Sequence, residues 1–274
     1  MTLEKGSLIL IDYTAKVKDT SEIFETTIDD DAKNLQSYDP STKYEPRLVS
    51  IGDGWVIKGL DEALSNAKPG DKLDIDIPPE KGFGIRDPSK IRMVPQRKFG
   101  EKADELKPGD TIDIDDRKAI VRFIGSGRVQ IDFNHRFAGR TLQYSVNVLK
   151  LLTDNNEKIV SLIKRRLPIE EEKLKLGMKG QNLTLTIPEE STLIDGIQII
   201  KKAIANDIFK YLPTLSNIQI IEEYVKATKE STEQKQEATK ESTEQKQEAT
   251  KESTEQKQEA TKESTEQKKQ SQRG

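Results

Sequence analysis

Covalent catalysis has little to work with in this chain. It contains no cysteine, which excludes disulfides, thiolate metal sites and cysteine nucleophiles. His135 is the only histidine, and a lone histidine more often makes structural hydrogen bonds than serves as a ligand or base. No cofactor motif is evident. Beyond residue 154 there is no glycine-rich phosphate loop, no metal-spaced cluster and no nucleophile beside a base. What the sequence does supply is aromatic: Tyr13, Phe24 and Tyr144, each inside a strand-like run, with the Glu25 carboxylate next to Phe24. Taken alone, the rings read as core residues and Glu25 as an ordinary strand carboxylate.

The elements that would hold these side chains follow from periodicity. Residues 7–17 place Ile9, Ile11, Tyr13, Ala15 and Val17 on one face of a strand. Residues 23–27 form a short second strand, followed by a polar, turn-rich loop over 29–46 and a strand at 47–51. The run Gly54-Trp-Val-Ile-Lys-Gly59 leads into a helix with Ile57, Leu60 and Leu64 in a stripe, and Lys68-Pro-Gly-Asp71 ends it. Residues 72–77 alternate cleanly and stop at Pro78-Pro79. Between 93 and 133 the pattern is that of a small all-β unit, with strands at 111–114, 117–124 and 128–133. A long strand over 141–151 then carries Leu142, Tyr144, Val146 and Val148 on one face. It is the natural partner of the early strands, which makes the β unit an insertion. A third segment, 153–226, reads as α/β: helices at 157–167 and 194–212, strands at 183–187 and 218–224.

From Ala227 the sequence ATKESTEQKQE repeats every eleven residues, at Ala238, Ala249 and Ala260. One alanine per repeat offers no seam to bury, so a disordered tail or a single marginal helix is expected. Charged residues make up 34% and hydrophobic ones 33%, partly because of this tail. A net charge of −3 with interspersed signs argues against a nucleic-acid partner. No run approaches the roughly 18–20 apolar residues of a membrane span. No apolar h-region follows Met1, so no signal peptide and a cytoplasmic location are expected.

Taken in order, Tyr13, Ile23-Phe-Glu-Thr-Thr27, Gly54-Trp-Val-Ile-Lys-Gly-Leu60, Lys68-Pro-Gly-Asp71 and Gly82-Phe-Gly84 resemble the FKBP family of peptidyl-prolyl cis/trans isomerases. The stretch Asn134-His-Arg-Phe-Ala-Gly-Arg-Thr-Leu142 resembles the N-H-P-L-A-G-x-x-L signature of its SlyD-like and archaeal branch, where an insert-in-flap domain occupies the position of residues 93–133. The segment after 152 resembles, by position and length, the extra C-terminal domain of the long archaeal forms. The implied fold class is α+β: an antiparallel half-barrel wrapped on a short helix (1–92 plus 134–152), the inserted β domain, and the C-terminal α/β domain.

The resemblance implies a pocket lined by Tyr13, Phe24 and Tyr144, with Glu25 facing the substrate carbonyl region, Val56 and Ile57 at the helix start, Leu60 as floor and Phe83 in the flap turn. The Ile57 backbone N–H would bind a substrate carbonyl. His135 and Phe137 are expected beside the pocket, and Trp55 either half-exposed beside it or packed inward. Three positions depart from the family: Glu25 stands for aspartate, Phe83 for tyrosine and Leu60 for tryptophan. Catalysis would need no cofactor and no metal, because resonance alone sets the barrier of about 18–20 kcal/mol. A dry aromatic site disfavours the polar planar amide relative to the twisted one. The insert, with Ile120, Phe123 and Ile131, is expected to capture extended segments of unfolded, proline-containing polypeptides by strand addition. The C-terminal domain is expected to offer a homodimer surface. The alternative is a non-catalytic holdase on the same scaffold.

Overall fold

The computed structural model describes residues 3–35 and 37–224; the eleven-residue repeats lie outside the described residues. In chain order the first half comprises β1 (Leu8–Val17), β2 (Ile23–Thr26), α1 (Asp29–Ala32), β3 (Arg47–Ser50), α2 (Lys58–Leu64) and β4 (Lys72–Ile77). Next come β5 (Ile91–Pro95), β6 (Thr111–Ile114), β7 (Arg117–Gly125), β8 (Arg128–Asp132) and β9 (Leu142–Leu151). The last part comprises α3 (Asn155–Lys164), β10 (Lys175–Lys179), β11 (Asn182–Pro188), α4 (Ile197–Tyr211) and β12 (Asn217–Glu223).

Among the described residues these strands form three sheets. The first runs β2-β1-β9-β4, with β3 also on β1. Its inner face carries Ile9, Ile11, Tyr13, Ala15 and Val17 from β1 and Leu142, Tyr144, Val146 and Val148 from β9, all buried. Helix α2 closes this core with Leu60 and Leu64. It lies so near β4 that a Cβ on Gly59 would sit 2.6 Å from Ile77 Cγ2.

β1 has a second role. Leu8 and Leu10 on its other face, with Leu48 of β3, pack into a separate core built from α3, α4 and the three-stranded sheet β10-β11-β12. One strand therefore divides its two faces between two cores.

The insertion is seen directly. β4 and β9 are hydrogen-bonded neighbours, Lys72 opposite Asn147 through Ile77 opposite Leu142, and the third sheet, β5-β8-β7-β6, is strung between them. Its ends meet where the Phe133 N–H donates to the Lys90 carbonyl at 3.0 Å. The sequence Lys-Pro-Gly-Asp makes the same turn twice. Asp71 accepts from the Lys68 N–H at 2.8 Å and Asp110 from the Lys107 N–H at 2.7 Å, with Gly70 and Gly109 at φ +93° and +102°.

Two helix starts differ from expectation, and three elements were not expected: α1 falls in the predicted loop over 29–46, β5 precedes the predicted strands of the insert, and β10 is the third. α4 begins at Ile197 because Gly196 before it is left-handed, at φ +75°. α3 begins at Asn155 because Asp154 caps it, accepting from the Glu157 N–H at 3.0 Å. β10 was not expected at all: of its five residues only Leu176 is turned to the core, so it carries almost no apolar alternation.

Candidate active site

The aromatic residues that the sequence scatters over 130 positions come together at one end of the first sheet. The Phe24 ring centroid lies 4.4 Å from that of Phe137, 6.2 Å from Tyr144 and 6.3 Å from Phe83. Tyr13 and Tyr144 are 5.7 Å apart, and Phe83 and Phe137 likewise 5.7 Å. Tilted and edge-to-face pairs of this kind add about 0.5–1.5 kcal/mol each beyond burial, so the five rings form a preorganised aromatic cup. Val56, Ile57 and Leu60 pack on the same core; Leu60 is fully covered.

Strand pairing explains why Tyr13 meets Tyr144: Ala15 stands opposite Tyr144 and Tyr13 opposite Val146, which puts the two tyrosines on adjacent inward positions. β2 brings in Phe24 and Glu25 through the register Ala15 to Glu25.

Sequence reasoning missed Arg47. It stands opposite Ile11 at the start of β3, one same-face position from Tyr13, and its guanidinium donates to the Tyr13 hydroxyl at 2.6 Å and to Glu25 Oε1 at 2.5 Å. Only the strand pairing reveals this neighbour; nothing in the local sequence around Pro46-Arg47 marks it. The ion pair is half-exposed and contributes little to stability; its effect is to fix two side chains. Burial, with Glu25 nearby, pushes both the Tyr13 and Tyr144 phenols up, so both remain protonated at neutral pH. The Tyr144 hydroxyl has no hydrogen-bond partner among the described residues, yet no buried polar side-chain atom there lacks one. It therefore keeps some contact with solvent.

Among the described residues the Ile57 N–H also has no partner. Ile57 precedes the first turn of α2, and its own carbonyl accepts from the Leu60 and Asp61 N–H groups. A free backbone donor at a helix start beside an aromatic cup suits a carbonyl ligand.

The remaining expected residues divide. His135 stacks on Phe83 at 4.1 Å and 17° and accepts the Phe137 N–H through Nδ1 at 3.3 Å; burial, then Arg136, lowers its pKa, so it is a neutral part of the cup wall. Trp55 is not beside the cup. It packs edge-on against Tyr211 of α4, 5.5 Å between centroids, with the Arg165 guanidinium 3.7 Å over its ring. Ile131 is also elsewhere: at 1% exposure it belongs to the insert's interior with Val121 and Val129, because its β8 position points inward. Ile120 and Phe123 do face out. A β-bulge between Val121 and Phe123 turns Phe123 to the outer side, where Met93, Gln130 and Phe123 form one cross-strand row. Phe123 is 57% and Met93 47% exposed.

Asn134 and Asp132 join the insert to the body. The fully buried Asp132 carboxylate accepts from Arg86 at 2.7 Å, Arg122 at 3.1 Å, and the Asn134 N–H and Nδ2 at 2.9 and 2.7 Å. Asn134 in turn bonds both the N–H and the carbonyl of Asp87. Burial opposes the Asp132 charge, but these donors outweigh it and hold the carboxyl below its ordinary pKa.

A cleft of about 1460 Å³ lies between β3 and the α3 region and includes Arg47, Trp55 and Lys164 in its walls. Among the described residues no group of histidines and carboxylates could hold a metal, and no helix is long and apolar enough to cross a membrane.

Residues 1–98 match FKBP-type peptidyl-prolyl cis-trans isomerase, 92–137 match FKBP26, IF domain, and 155–225 match FKBP26_C-terminal. A short-type peptidyl-prolyl cis-trans isomerase of Methanocaldococcus jannaschii is 32% identical over 146 residues, covering 53% of this chain and 92% of the relative. The FKBP-type 16 kDa isomerase of Escherichia coli is 26% identical over 155 residues, 55% of this chain and 94% of its own. The SlyD isomerase of Helicobacter pylori is 26% identical over 157 residues, 56% and 76% of the two chains. The chain belongs to the FKBP-type peptidyl-prolyl cis-trans isomerase family.

Proposed function

We propose that the aromatic cup is the prolyl pocket of this isomerase and that Ile57 anchors the substrate next to it. The observation that carries the reading is the contiguous set of Tyr13, Phe24, Phe83, Phe137 and Tyr144 beside a backbone donor without a partner among the described residues. In this reading the proline ring sits against Phe24, Tyr13 and Tyr144, and the Ile57 N–H holds a substrate carbonyl. The dry walls favour the twisted amide, whose carbonyl is less polar than the planar one. Arg47 keeps Tyr13 and Glu25 facing the site, while Leu60 supplies an aliphatic floor. Nothing is transferred, and the protonated phenols act only as walls and hydrogen-bond donors.

The insert captures proline-containing unfolded segments on its outer row, Met93 and Phe123 with Ile120 alongside, and on the edge strands β5 and β6. A second copy of the chain docks on the C-terminal domain, where Leu193 is 83% and Ile199 77% exposed. The working location is the cytoplasm.

A protease-coupled tetrapeptide assay tests the pocket. Phe24→Ala should lower kcat/KM by roughly 10–100-fold. Ile57 has φ −60°, the angle proline prefers, so Ile57→Pro deletes the N–H with little backbone change. It should cost about 10-fold more than Ile57→Ala, which keeps the donor; equal effects of the two would remove the anchor. Deleting residues 93–133 and closing the adjacent ends should spare the tetrapeptide and slow proline-limited refolding of a protein. Equal losses in both assays would refute capture by the insert.

A further inference from the structure

We infer that the end of α4 positions the substrate-anchoring loop, so that Tyr211 and Lys210 of the C-terminal domain set how well the isomerase site binds its substrate. The inference rests on the reading of Ile57 as the anchor. The loop in question runs from Ile51 to Ile57, and its backbone is unusual: Gly52 and Gly54 adopt φ +74° and +65°, and no regular element holds it. It is gripped from two sides. From α2, Asp61 accepts the N–H groups of Gly52 at 2.8 Å and Gly54 at 3.4 Å. From α4, the Tyr211 hydroxyl donates to Asp53 Oδ2 at 2.7 Å and the Lys210 ammonium to Oδ1 at 2.9 Å. The Ser50 hydroxyl completes the set of donors on Asp53.

Trp55 adds the apolar half of the grip. Tyr211 meets it edge-on, and the guanidinium of Arg165, the residue that ends α3, stands 3.7 Å over its ring, a distance at which a cation–π contact is well formed. Val56 and Ile57 follow Trp55 directly in sequence, so holding Trp55 and Asp53 leaves the Ile57 N–H little freedom. Without α4 the loop would keep Asp61, Ser50 and Arg165 but lose both α4 donors to Asp53, and its two left-handed glycines would sample other conformations more often. Tyr211 and Lys210 touch neither substrate nor cup; they are positioning residues.

The test is the full-length Tyr211→Phe/Lys210→Met variant, which keeps the ring on Trp55 and removes both donors to Asp53. Its KM for a tetrapeptide should rise about 3–10-fold with kcat little changed, because the lost contact serves ground and transition states alike. Amide exchange over residues 52–57 should quicken about 10-fold while that of β1 and β9 is unaltered. Lys210→Arg alone should restore wild-type KM in the Tyr211 background. A variant with a lower melting temperature but unchanged KM and unchanged exchange at 52–57 overturns the inference, since a purely structural contact would behave in that way. Ile57→Pro, run in parallel, separates the two layers. If it is impaired while the double variant is normal, the grip alone is wrong; if it is as active as Ile57→Ala, the anchor is wrong and the grip falls with it.

Discussion

Replacing Gly59 by alanine sets two physical effects against each other. Inside a helix alanine is favoured over glycine by about 1 kcal/mol, so propensity alone predicts a stabler protein. Packing predicts the opposite. The added Cβ would lie 2.6 Å from Ile77 Cγ2, 3.2 Å from its Cγ1 and 3.3 Å from Lys81 Cβ, whereas carbon atoms prefer roughly 3.5–4.0 Å. Lys81 can swing aside. Ile77 cannot, because it is β-branched, 1% exposed and paired with Leu142. Helix α2 must therefore retreat by about 1 Å, an overpacking that costs about 1–3 kcal/mol. Net of propensity, the loss centres near 1 kcal/mol, or about 2–4 °C in melting temperature for a chain of this size. Catalysis should suffer more. Ile57 leads into α2, so its N–H moves with the helix, and a displacement of about 1 Å can cost up to about 100-fold. Thermal unfolding and the tetrapeptide assay together decide: a lower melting temperature with kcat/KM down at least about 10-fold is expected. A Gly59→Ala protein that melts higher and isomerises normally would show that the close approach of α2 to β4 does not matter.

Other perturbations address separate parts. Tyr144→Phe removes a hydroxyl that has no partner among the described residues, so its melting temperature should match wild type, whereas Tyr13→Phe loses the Arg47 hydrogen bond and about 1 kcal/mol by denaturant titration. Asp132→Asn weakens a buried carboxylate with four donors and should cost about 2–3 kcal/mol; faster amide exchange confined to residues 86–134 would locate the damage at the insert's root. For Asp53, burial opposes ionisation, but Ser50, Tyr211 and Lys210 hold its pKa at about 2, below the ordinary 3.8. The stabilisation is thus fully present above pH 4 and lost as pH falls toward 2. Allowing for solvent screening it amounts to about 1–2 kcal/mol, so the stability gap between wild type and Asp53→Asn should close over that range.

Much of the first sheet was legible because alternation is strong where one face is buried: β1 and β9 showed their inward residues directly, and Lys-Pro-Gly-Asp marked both turns. The cup was legible for a different reason, the order of short motifs. What stayed hidden depends on contacts between distant segments. Arg47 becomes a neighbour of Tyr13 only once β3 pairs with β1. Asp132 and Arg86 meet only when the two connections of the insert run side by side. Trp55, next to Val56 and Ile57 in sequence, was expected either beside the pocket or packed inward, and it turns to Tyr211 because a second core lies behind the loop. Ile131 and Ile120 are both isoleucines in neighbouring strands; only register decides that one is interior and the other outward. β10 had almost no apolar signal to read.

The sharing of β1 between two cores has a consequence for how the chain comes apart. Leu8, Leu10, Leu48 and Trp55 form a greasy seam that α3 and α4 cover, so the catalytic half cannot be trimmed to its shorter relatives' length without turning that seam outward. A fragment ending near residue 152 would be a sticky protein, prone to self-association, unless polar replacements were made along the seam. Peeling β1 from its neighbours would open both halves at once, which ties their melting into a single cooperative event.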